Sequence, residues 1–420
     1  MSRKRTDQLC VYLDDYLFGP LQHIGNLYRS DNGTLSFSYE PEWLRREDGF
    51  NLDPELKFED GEAFPVNRNF GIFTDSCPDR WGRKLMNRRA ALEGNPGKLL
   101  TEWDYLLGVQ DYTRMGALRF RYPEESVFQA SELLSAPPIT QLAELQYIAR
   151  ELSKEKHEDL DQVRQWLKVL VAPGASLGGA RPKANILDKN GHLWIAKFPK
   201  ENDYDDVAAW EMTLHHLAKE AGINVPPARL EKLGEHHTFL SKRFDRNAEK
   251  RLFFVSAMTV LKKVDNDDAS YLELAEFLSM NGAPDTAKTS LEQLFRRVVF
   301  NAMTSNRDDH LRNHGFIKRP QGWDLSPAYD MNPSSKEEHQ LAFDDSNLTV
   351  PDMDLIIESS VFYSLDEDRA AEIAHNVAAT VSKWESVAKR YGLSALERAE
   401  KQASFNTFGF EAHPVCMAPR

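Results

Sequence analysis

An acid pair and an amide lie close together in residues 306–313, which read Asn-Arg-Asp-Asp-His-Leu-Arg-Asn. Four residues separate Asp308 from Asn313. A carboxylate can accept the proton of an attacking hydroxyl, and an amide oxygen is a hard ligand that suits Mg²⁺. The pair at this spacing predicts a loop that supplies a base and a metal ligand to phosphoryl transfer. The spacing alone has little specificity, so the order of the other candidate residues matters.

A loop of small residues lies upstream, at residues 174–180, with the sequence Gly-Ala-Ser-Leu-Gly-Gly-Ala. Glycines let a backbone approach phosphates closely and present its N–H groups to them. The loop is neither a Walker A motif nor a G-x-G-x-x-G motif, because Lys183 comes late for a Walker A lysine and no Ser or Thr follows it. An ordinary flexible turn is the alternative interpretation. The candidate nucleotide-binding residues here are Ser176, Gly178, Gly179 and Ala180.

A hairpin pattern follows, in which the dipeptide Asn190-Gly191 favours a tight turn between two apolar strands. Lys197 stands near the end of the second strand, at residues 192–198. A buried lysine needs an anion, because an unpaired buried charge is costly. The phosphates of ATP would serve, whereas a lysine that extends to solvent from an edge strand is the alternative.

Apolar residues at helical spacing predict a helix over residues 207–220, which Gly222 would end. Glu211 lies near the start of this helix. In protein kinases a strand lysine pairs with a helix glutamate and is thereby oriented toward the phosphates. We expect Glu211 to pair with Lys197, with a solvated surface carboxylate as the alternative.

The next predicted strand, residues 238–244, has the position of an adenine-binding hinge in the kinase order. We expect adenine to lie against the backbone near Lys242 and the ring of Phe244. We name residues 306–313 the acid loop. A second hairpin after the acid loop leads to Asp330, which occupies the place of a kinase metal-binding aspartate. Asn313 and Asp330 together are the candidate Mg²⁺ ligands.

The order of these features predicts ATP-dependent phosphoryl transfer, and three alternatives remain. Asp308, Asp309 and His310 would also suit a metal-dependent phosphoesterase. A catalytically weak or inactive kinase fold that serves only as a binding partner and corepressor is the second alternative. A lipid kinase is the third, although the acidic composition without a basic amphipathic helix disfavours a membrane substrate.

The chain resembles HipA-type serine/threonine kinases, the toxins of bacterial type II toxin–antitoxin pairs. The resemblance rests on motifs in both halves of the chain. They are Gly-Ala-Ser-Leu-Gly-Gly-Ala-Arg-Pro-Lys at 174–183, Trp-Ile-Ala-Lys-Phe-Pro at 194–199, Phe-Leu-Ser-Lys-Arg-Phe-Asp-Arg at 239–246, residues 306–313, Leu-Ser-Pro-Ala-Tyr-Asp at 325–330 and, near the front, Asp-Ser-Cys-Pro-Asp-Arg-Trp-Gly-Arg at 75–83.

This resemblance implies a role for each matching residue. Asp308 would be the catalytic base, Asn313 and Asp330 would bind metal, Lys197 would contact the ATP phosphates, and His310 would lie in the nucleotide site. Ser176 would be an autophosphorylation site whose modification silences the kinase, because a phosphoserine adds nearly two negative charges beside the nucleotide phosphates.

The resemblance also implies partners. The protein substrate would be an aminoacyl-tRNA synthetase, with the glutamate enzyme as the first expectation, and its modification would inhibit translation. The antitoxin would be a HipB-type helix-turn-helix protein. Operator DNA would be bound mainly through that antitoxin, because a net charge of -13 argues against a dedicated DNA-binding face on this chain.

The expected fold class is α+β: a two-lobed protein-kinase-like fold with a β-rich N-terminal subdomain and a mostly helical C-terminal lobe. We divide the 420 residues into a HipA-like subdomain at 1–125, a kinase N-lobe at 126–260 and a helical C-lobe at 261–420. Helices are expected at 79–93, 142–155, 271–281, 291–304 and 369–391.

Composition favours a cytoplasmic protein. Cys10, Cys77 and Cys416 are far apart and predict neither a disulfide framework nor a metal site. The polar first residues do not read as a signal peptide, and no apolar run reaches the length of a membrane span. We therefore expect no membrane partner.

Overall fold

The structure is a computed structural model that describes residues 5–93, 99–131, 136–154, 159–171, 179–247 and 250–410. The chain forms two compact units. The first comprises residues 1–202 and 240–263, and the second comprises residues 203–239 and 264–420. The three-part division expected from the sequence remains a prediction.

Strands and helices alternate in the first half of the chain, and helices dominate the second half. The strands are β1 (Arg5–Leu13), β2 (Gln22–Ser30), β3 (Leu35–Tyr39), β4 (Leu118–Arg121), β5 (Lys183–Leu187), β6 (Leu193–Lys197), β7 (Ala228–Lys232), β8 (His237–Lys242), β9 (Arg246–Asn247), β10 (Lys250–Arg251), β11 (Phe254–Ser256), β12 (Gly315–Arg319) and β13 (Gly322–Leu325). The helices are α1 (Pro41–Leu44), α2 (Gly71–Asp75), α3 (Arg80–Leu92), α4 (Glu102–Gly108), α5 (Leu142–Ser153), α6 (Leu160–Val171), α7 (Val207–Glu220), α8 (Ala257–Val260), α9 (Tyr271–Asn281), α10 (Ala287–Thr304), α11 (Met353–Glu358), α12 (Glu367–Val381), α13 (Trp384–Arg390) and α14 (Ala395–Lys401).

An antiparallel sheet with strand order β3-β2-β1-β4 forms the front of the first unit. The central strand β1 is covered on both faces, since consecutive residues from Leu9 to Leu13 are buried. Gly25 on β2 is required by packing, because a Cβ atom there would lie 2.2 Å from the Phe37 ring of the neighbouring strand. The buried Phe37 ring therefore packs directly against the backbone of β2.

The predicted lysine hairpin is confirmed in the first unit. β5 and β6 pair in register from Lys183 opposite Lys197 to Leu187 opposite Leu193. Gly191 in the connecting turn has φ +78°, a conformation that favours glycine. The Asp188 side chain accepts a hydrogen bond from the Asn190 N–H at 2.8 Å and so closes the turn. The second half of β8 adds to this unit beside β6, where the Arg243 N–H donates to the Leu193 carbonyl.

A fully buried ion cluster joins distant segments of the first unit. Asp245 accepts hydrogen bonds from Arg243 at 2.7 and 2.6 Å, from Arg246, and from the Gly116 N–H at 2.9 Å. Burial raises the pKa of the Asp245 carboxyl, but the two guanidinium groups and these hydrogen bonds hold it at about 2. The cluster is therefore charged and fixes residues 240–263 against residues 111–119.

Helices build the second unit, and α10 is its centre. From Leu291 to Thr304 nearly every side chain of α10 is buried, and the helix packs against α9 and α12. The predicted helix over residues 207–220 is confirmed as α7. It ends where Gly222, at φ +81°, lets the Gly222 and Ile223 N–H groups donate to the Lys219 and Ala218 carbonyls.

The single helix predicted over residues 369–391 is wrong, because the chain breaks into α12 and α13 at Ser382 and Lys383. The break redirects the chain so that α13 packs against α7. The Trp384 ring then stacks on Phe405, with ring centroids 4.3 Å apart, next to Trp210. Aromatic packing between remote residues thus overrides a continuous helical pattern.

Among the residues that the structure describes, no helix is both long and apolar enough to cross a lipid bilayer.

We predict that Asp245→Ala destabilises the first unit by about 3–5 kcal/mol, because it leaves two buried guanidinium groups without their counter-ion. The matched control is Asp161→Ala. It removes an ion pair with Arg164 in which the aspartate is 84% exposed, and it should cost less than about 1 kcal/mol. Chemical denaturation of both variants measures the difference, and equal losses would contradict the assigned role of the cluster.

Candidate active site

The acid loop joins the end of α10 to β12 in the second unit. Ser305 ends α10 with φ +47°, a left-handed conformation that turns the chain sharply. The Asn306 N–H then donates to the Asn301 carbonyl at 3.1 Å, and the Asn306 side chain donates to Asn301 Oδ1 at 3.0 Å. The loop is therefore fixed to the last turns of a buried helix.

Asp309 anchors the loop from inside. Its Oδ2 atom accepts hydrogen bonds from the Tyr271 hydroxyl at 2.7 Å and from Asn301 Nδ2 at 2.8 Å, and it lies 2.7 Å from His314 Nε2. Asp309 is only 3% exposed. One buried carboxylate oxygen thus connects α9, α10 and the end of the loop.

The electrostatics of this anchor are those of a charged carboxylate. Burial raises the pKa of Asp309, but the His314 ring and the hydrogen bonds from His314 and Tyr271 outweigh burial and hold it below its ordinary value. Burial and the Asp309 charge together raise the pKa of the Tyr271 hydroxyl well above its ordinary value. Tyr271 therefore stays a hydrogen-bond donor to an ionised Asp309.

Asp308 has the opposite environment to its neighbour. Its side chain is 63% exposed and lies 2.5 Å from Lys336 Nζ. Because the adjacent Asp309 is buried and already accepts three hydrogen bonds, Asp308 is the carboxylate of the pair that can meet a substrate. This division opposes a phosphoesterase centre built on both acids.

Asn313 presents an acceptor that has no partner. Its N–H donates to the His310 carbonyl at 2.7 Å, and its Nδ2 donates to the Asp308 carbonyl at 3.2 Å. Its Oδ1 is buried, and no other described residue donates to it. A buried acceptor without a donor is costly, and a bound cation would satisfy it. The amide oxygen of Asn313 is therefore a candidate ligand atom.

Asp330 lies in an irregular segment that is tied to the acid loop at both ends. On one side the Tyr329 hydroxyl donates to the Arg312 carbonyl at 2.8 Å. On the other side the Asn332 N–H donates to Asn306 Oδ1 at 3.0 Å. Asp330 itself is half-buried and has φ +61°, which is uncommon for a residue with a side chain. Such backbone conformations concentrate at functional sites.

His310 completes the candidates of the second unit. The ring is half-buried, and no described residue pairs with its buried Nδ1. Glu211 on α7 is 3% exposed, so the alternative of a solvated surface carboxylate is wrong. The predicted partner of Glu211, Lys197, belongs to the first unit, and this pairing remains a prediction.

Lys197 ends β6 in the first unit and is half-buried directly opposite Lys183. Lys183 is neutralised by Asp79, with 2.9 Å between Nζ and Oδ2 and both side chains 2% exposed. The other oxygen of Asp79 accepts from the Gly82 N–H at 2.8 Å and so caps α3. This residue of the 75–83 motif therefore compensates one of two neighbouring lysine charges.

The other candidate residues of the first unit precede or follow this hairpin in the sequence. Gly179 has φ +94° and precedes Ala180, whereas Ser176 and Gly178 lie outside the described residues. Lys242 ends β8 and is half-buried. The Phe244 ring packs against Phe254, with centroids 5.6 Å apart.

Sequence reasoning missed the residues that hold the acid loop in place. From the sequence, Asp309 is a candidate only in the metal cluster of the phosphoesterase alternative, and Tyr271, Asn301 and His314 belong to no motif. Lys336 lies in the irregular stretch after Asp330 and also belongs to none.

Family models and relatives agree with this architecture. The model of the HipA-like C-terminal domain matches residues 175–384, and that of the HipA N-terminal domain matches residues 11–121. The chain therefore belongs to the HipA family.

Two relatives that are named as kinases have low sequence identity to this chain. A Haemophilus influenzae protein that is provisionally named a kinase is 28% identical over 37% of this chain, and the match spans 52% of its own length. The serine/threonine-protein kinase toxin HipA of Shewanella oneidensis is 22% identical over 79% of this chain and 76% of that protein.

A solved structure shares the fold. The matching chain comes from the Shewanella oneidensis MR-1 toxin–antitoxin complex of HipA, HipB and operator DNA. The match has a TM-score of 0.66 and 17% identity, and it covers 96% of each chain. The predicted fold class, α+β of the kinase-like HipA type, is confirmed.

We predict that His339 makes the second unit sensitive to acid. It is 3% exposed, and neither ring nitrogen has a partner among the described residues. Burial lowers its pKa to about 4, with Asp309 opposing and Arg307 reinforcing the shift. Because the unfolded chain then binds the proton more tightly, stability is complete above about pH 6.5 and is lost toward pH 4.

The measurement is the free energy of unfolding of the second unit in the full chain. Between pH 7 and pH 5 the wild type should lose about 2 kcal/mol more than His339→Phe, which keeps a ring beside Phe343 but cannot titrate. Identical pH dependence of the two proteins would contradict a buried neutral His339.

Proposed function

We propose that this chain is an ATP- and Mg²⁺-dependent serine/threonine protein kinase that acts as the toxin of a bacterial toxin–antitoxin pair. The observation that carries the proposal is the acid loop. It combines an exposed carboxylate, Asp308, with a buried amide oxygen of Asn313 to which no described residue donates, and both are fixed by one buried anchor. The names of two relatives support the same reaction class.

In this mechanism Asp308 accepts the proton of the substrate hydroxyl as its oxygen attacks the γ-phosphorus. The loop anchor keeps Asp308 in place, since positioning supplies much of the rate in phosphoryl transfer. The Asn313 side chain connects the two functions, because its Nδ2 donates to the Asp308 carbonyl while its Oδ1 remains for a ligand. Base and metal ligand are thereby held at a constant separation.

The donor set fits Mg²⁺. Within the described ranges, no group of three or more His, Cys, Asp or Glu residues is arranged to hold a metal. Mg²⁺ in phosphoryl-transfer sites is commonly held by only one or two carboxylates together with substrate phosphates and water. Asn313 Oδ1 and the Asp330 carboxylate would hold it, and it would neutralise charge on the phosphates.

The nucleotide would be bound largely by the first unit. Lys197 would contact its phosphates, oriented by Glu211, and the backbone at Gly178, Gly179 and Ala180 would approach them. Adenine would lie near Lys242 and Phe244, and His310 would face the nucleotide from the acid loop. Lys183, which lies opposite Lys197 in this strand pair, already forms a buried ion pair with Asp79 and is not assigned to phosphate.

Ser176 would regulate the enzyme by autophosphorylation. A phosphoserine in the loop that approaches the nucleotide phosphates would repel them and displace the loop. The kinase would then silence itself. This role rests on the family resemblance and on the glycine-rich surroundings of Ser176 in the sequence.

The proposed partners follow from the family. A HipB-type helix-turn-helix antitoxin would bind the chain in the cytoplasm and carry it to operator DNA. The solved structure with the same fold contains HipA, HipB and operator DNA. The protein substrate would be an aminoacyl-tRNA synthetase, glutamyl-type first, and its phosphorylation would inhibit translation.

We predict that Asp308→Asn reduces phosphate transfer from Mg-ATP by at least about a hundredfold, the effect of a lost general base, while ATP still binds. Asp368→Asn, an equivalent change at an exposed position of α12, should transfer phosphate like the wild type. Radiolabelled transfer and equilibrium nucleotide binding measure the two effects. Wild-type rates in Asp308→Asn would remove this residue from the mechanism.

Ser176→Ala should abolish autophosphorylation yet retain phosphorylation of a protein substrate. Mass spectrometry of the chain after incubation with Mg-ATP locates the phosphate. A Ser176→Ala protein that labels itself elsewhere to the full extent would refute the proposed loop switch.

A further inference from the structure

The loop that follows Asp330 in the chain, residues 332–340, lies next to Asp308. Three backbone N–H groups fix residues 332–340 to residues 305–307: the Asn332 N–H donates to the side-chain Oδ1 of Asn306 at 3.0 Å, the Ser334 N–H to the Ser305 carbonyl at 2.9 Å, and the Gln340 N–H to the Arg307 carbonyl at 3.1 Å. We name residues 332–340 the framing loop. Its position is therefore set by the same segment that carries Asp308.

Lys336 lies in the middle of the framing loop and points to the candidate base. Its Nζ is 2.5 Å from Asp308 Oδ1. Its backbone is held independently, since its carbonyl accepts a hydrogen bond from the Arg307 guanidinium and its N–H donates to Ser334 Oγ at 3.2 Å. The backbone from which the Lys336 side chain extends is thus fixed beside Asp308, and the ion pair holds the ammonium group at the carboxylate.

Stability does not explain this contact. The side chains of Lys336 and Asp308 are 46% and 63% exposed, and ion pairs between exposed groups contribute about 0–1 kcal/mol. A lysine ammonium group beside the candidate general base can instead stabilise negative charge during catalysis. Transferring phosphoryl groups are stabilised by lysine, arginine and Mg²⁺ placed where negative charge is concentrated.

We propose that Lys336 is a catalytic residue that contacts the phosphoryl group in transit while Asp308 accepts the proton. This inference rests on the proposed kinase function. In the step, the substrate oxygen forms a bond to the γ-phosphorus of ATP, the bond from that phosphorus to the ADP oxygen breaks, and the hydroxyl proton moves to Asp308. Lys336 keeps its proton throughout and offsets the negative charge on the phosphoryl oxygens.

Removal of the Lys336 charge should therefore lower the rate of phosphate transfer and leave the affinity for the nucleotide unchanged. Removing one charge-stabilising donor from an active site commonly lowers kcat about 100- to 1000-fold, and a smaller loss of at least about tenfold is expected at this exposed position. Arginine keeps the positive charge, so it should restore much of the rate. Because arginine would also preserve the ion pair with Asp308, rescue by arginine shows that the positive charge is needed, and an unchanged Tm for Lys336→Met shows that the loss of rate is not a loss of stability.

The experiment compares Lys336→Met, Lys336→Arg and the control Lys288→Met, an exposed lysine on α10, in the full chain. Initial rates of labelled phosphate transfer from Mg-ATP give kcat and KM for ATP, and thermal unfolding checks the fold. Asp308→Asn is measured in parallel as the test of the kinase assignment itself.

Support for the proposal is a fall in kcat of at least about tenfold for Lys336→Met, with KM for ATP, Tm and the control unchanged, and a substantial recovery in Lys336→Arg. An active wild type that Asp308→Asn inactivates, with Lys336→Met equal to wild type or Lys336→Arg no better than Lys336→Met, overturns the role of Lys336 alone. A wild type without phosphate transfer overturns the kinase assignment and this inference together.

Discussion

The candidate active site depends on one buried carboxylate oxygen, Asp309 Oδ2. Tyr271 and Asn301 donate to it from two helices, and His314 contacts it from the end of the loop. Loss of this charge would leave several buried polar groups without partners, which is among the costlier changes in a protein interior. The backbone of residues 305–314 is thereby fixed, and with it the positions of Asp308, His310 and Asn313.

Two adjacent acids have opposite tasks because their environments differ. Asp309 is buried and saturated with hydrogen bonds, so it serves structure, whereas Asp308 projects to solvent beside Lys336. Enzymes often divide labour between carboxylates in this way. Here the buried partners of Asp309 produce the division, and the anchor of one acid positions the other.

The sequence predicted the local features well and the remote contacts poorly. Helix α7 was predictable because periodicity and Gly222 are encoded within a few residues, and the spacing of Asp308 and Asn313 is likewise local. Asp309 and Lys336 were not predictable as functional neighbours, since Tyr271 is 38 residues from Asp309 and Lys336 is 28 residues from Asp308. The break before Trp384 has the same cause, a stacking contact with Phe405 that only the folded chain creates.

The central claim is that the acid loop binds a metal–nucleotide complex. A crystal structure of the full chain with Mg²⁺ and a non-hydrolysable ATP analogue tests it most directly. We expect electron density for Mg²⁺ at Asn313 Oδ1 and the Asp330 carboxylate, with the γ-phosphate facing Asp308. A nucleotide bound in full occupancy elsewhere on the chain, with Asn313 Oδ1 still without a ligand, would contradict it.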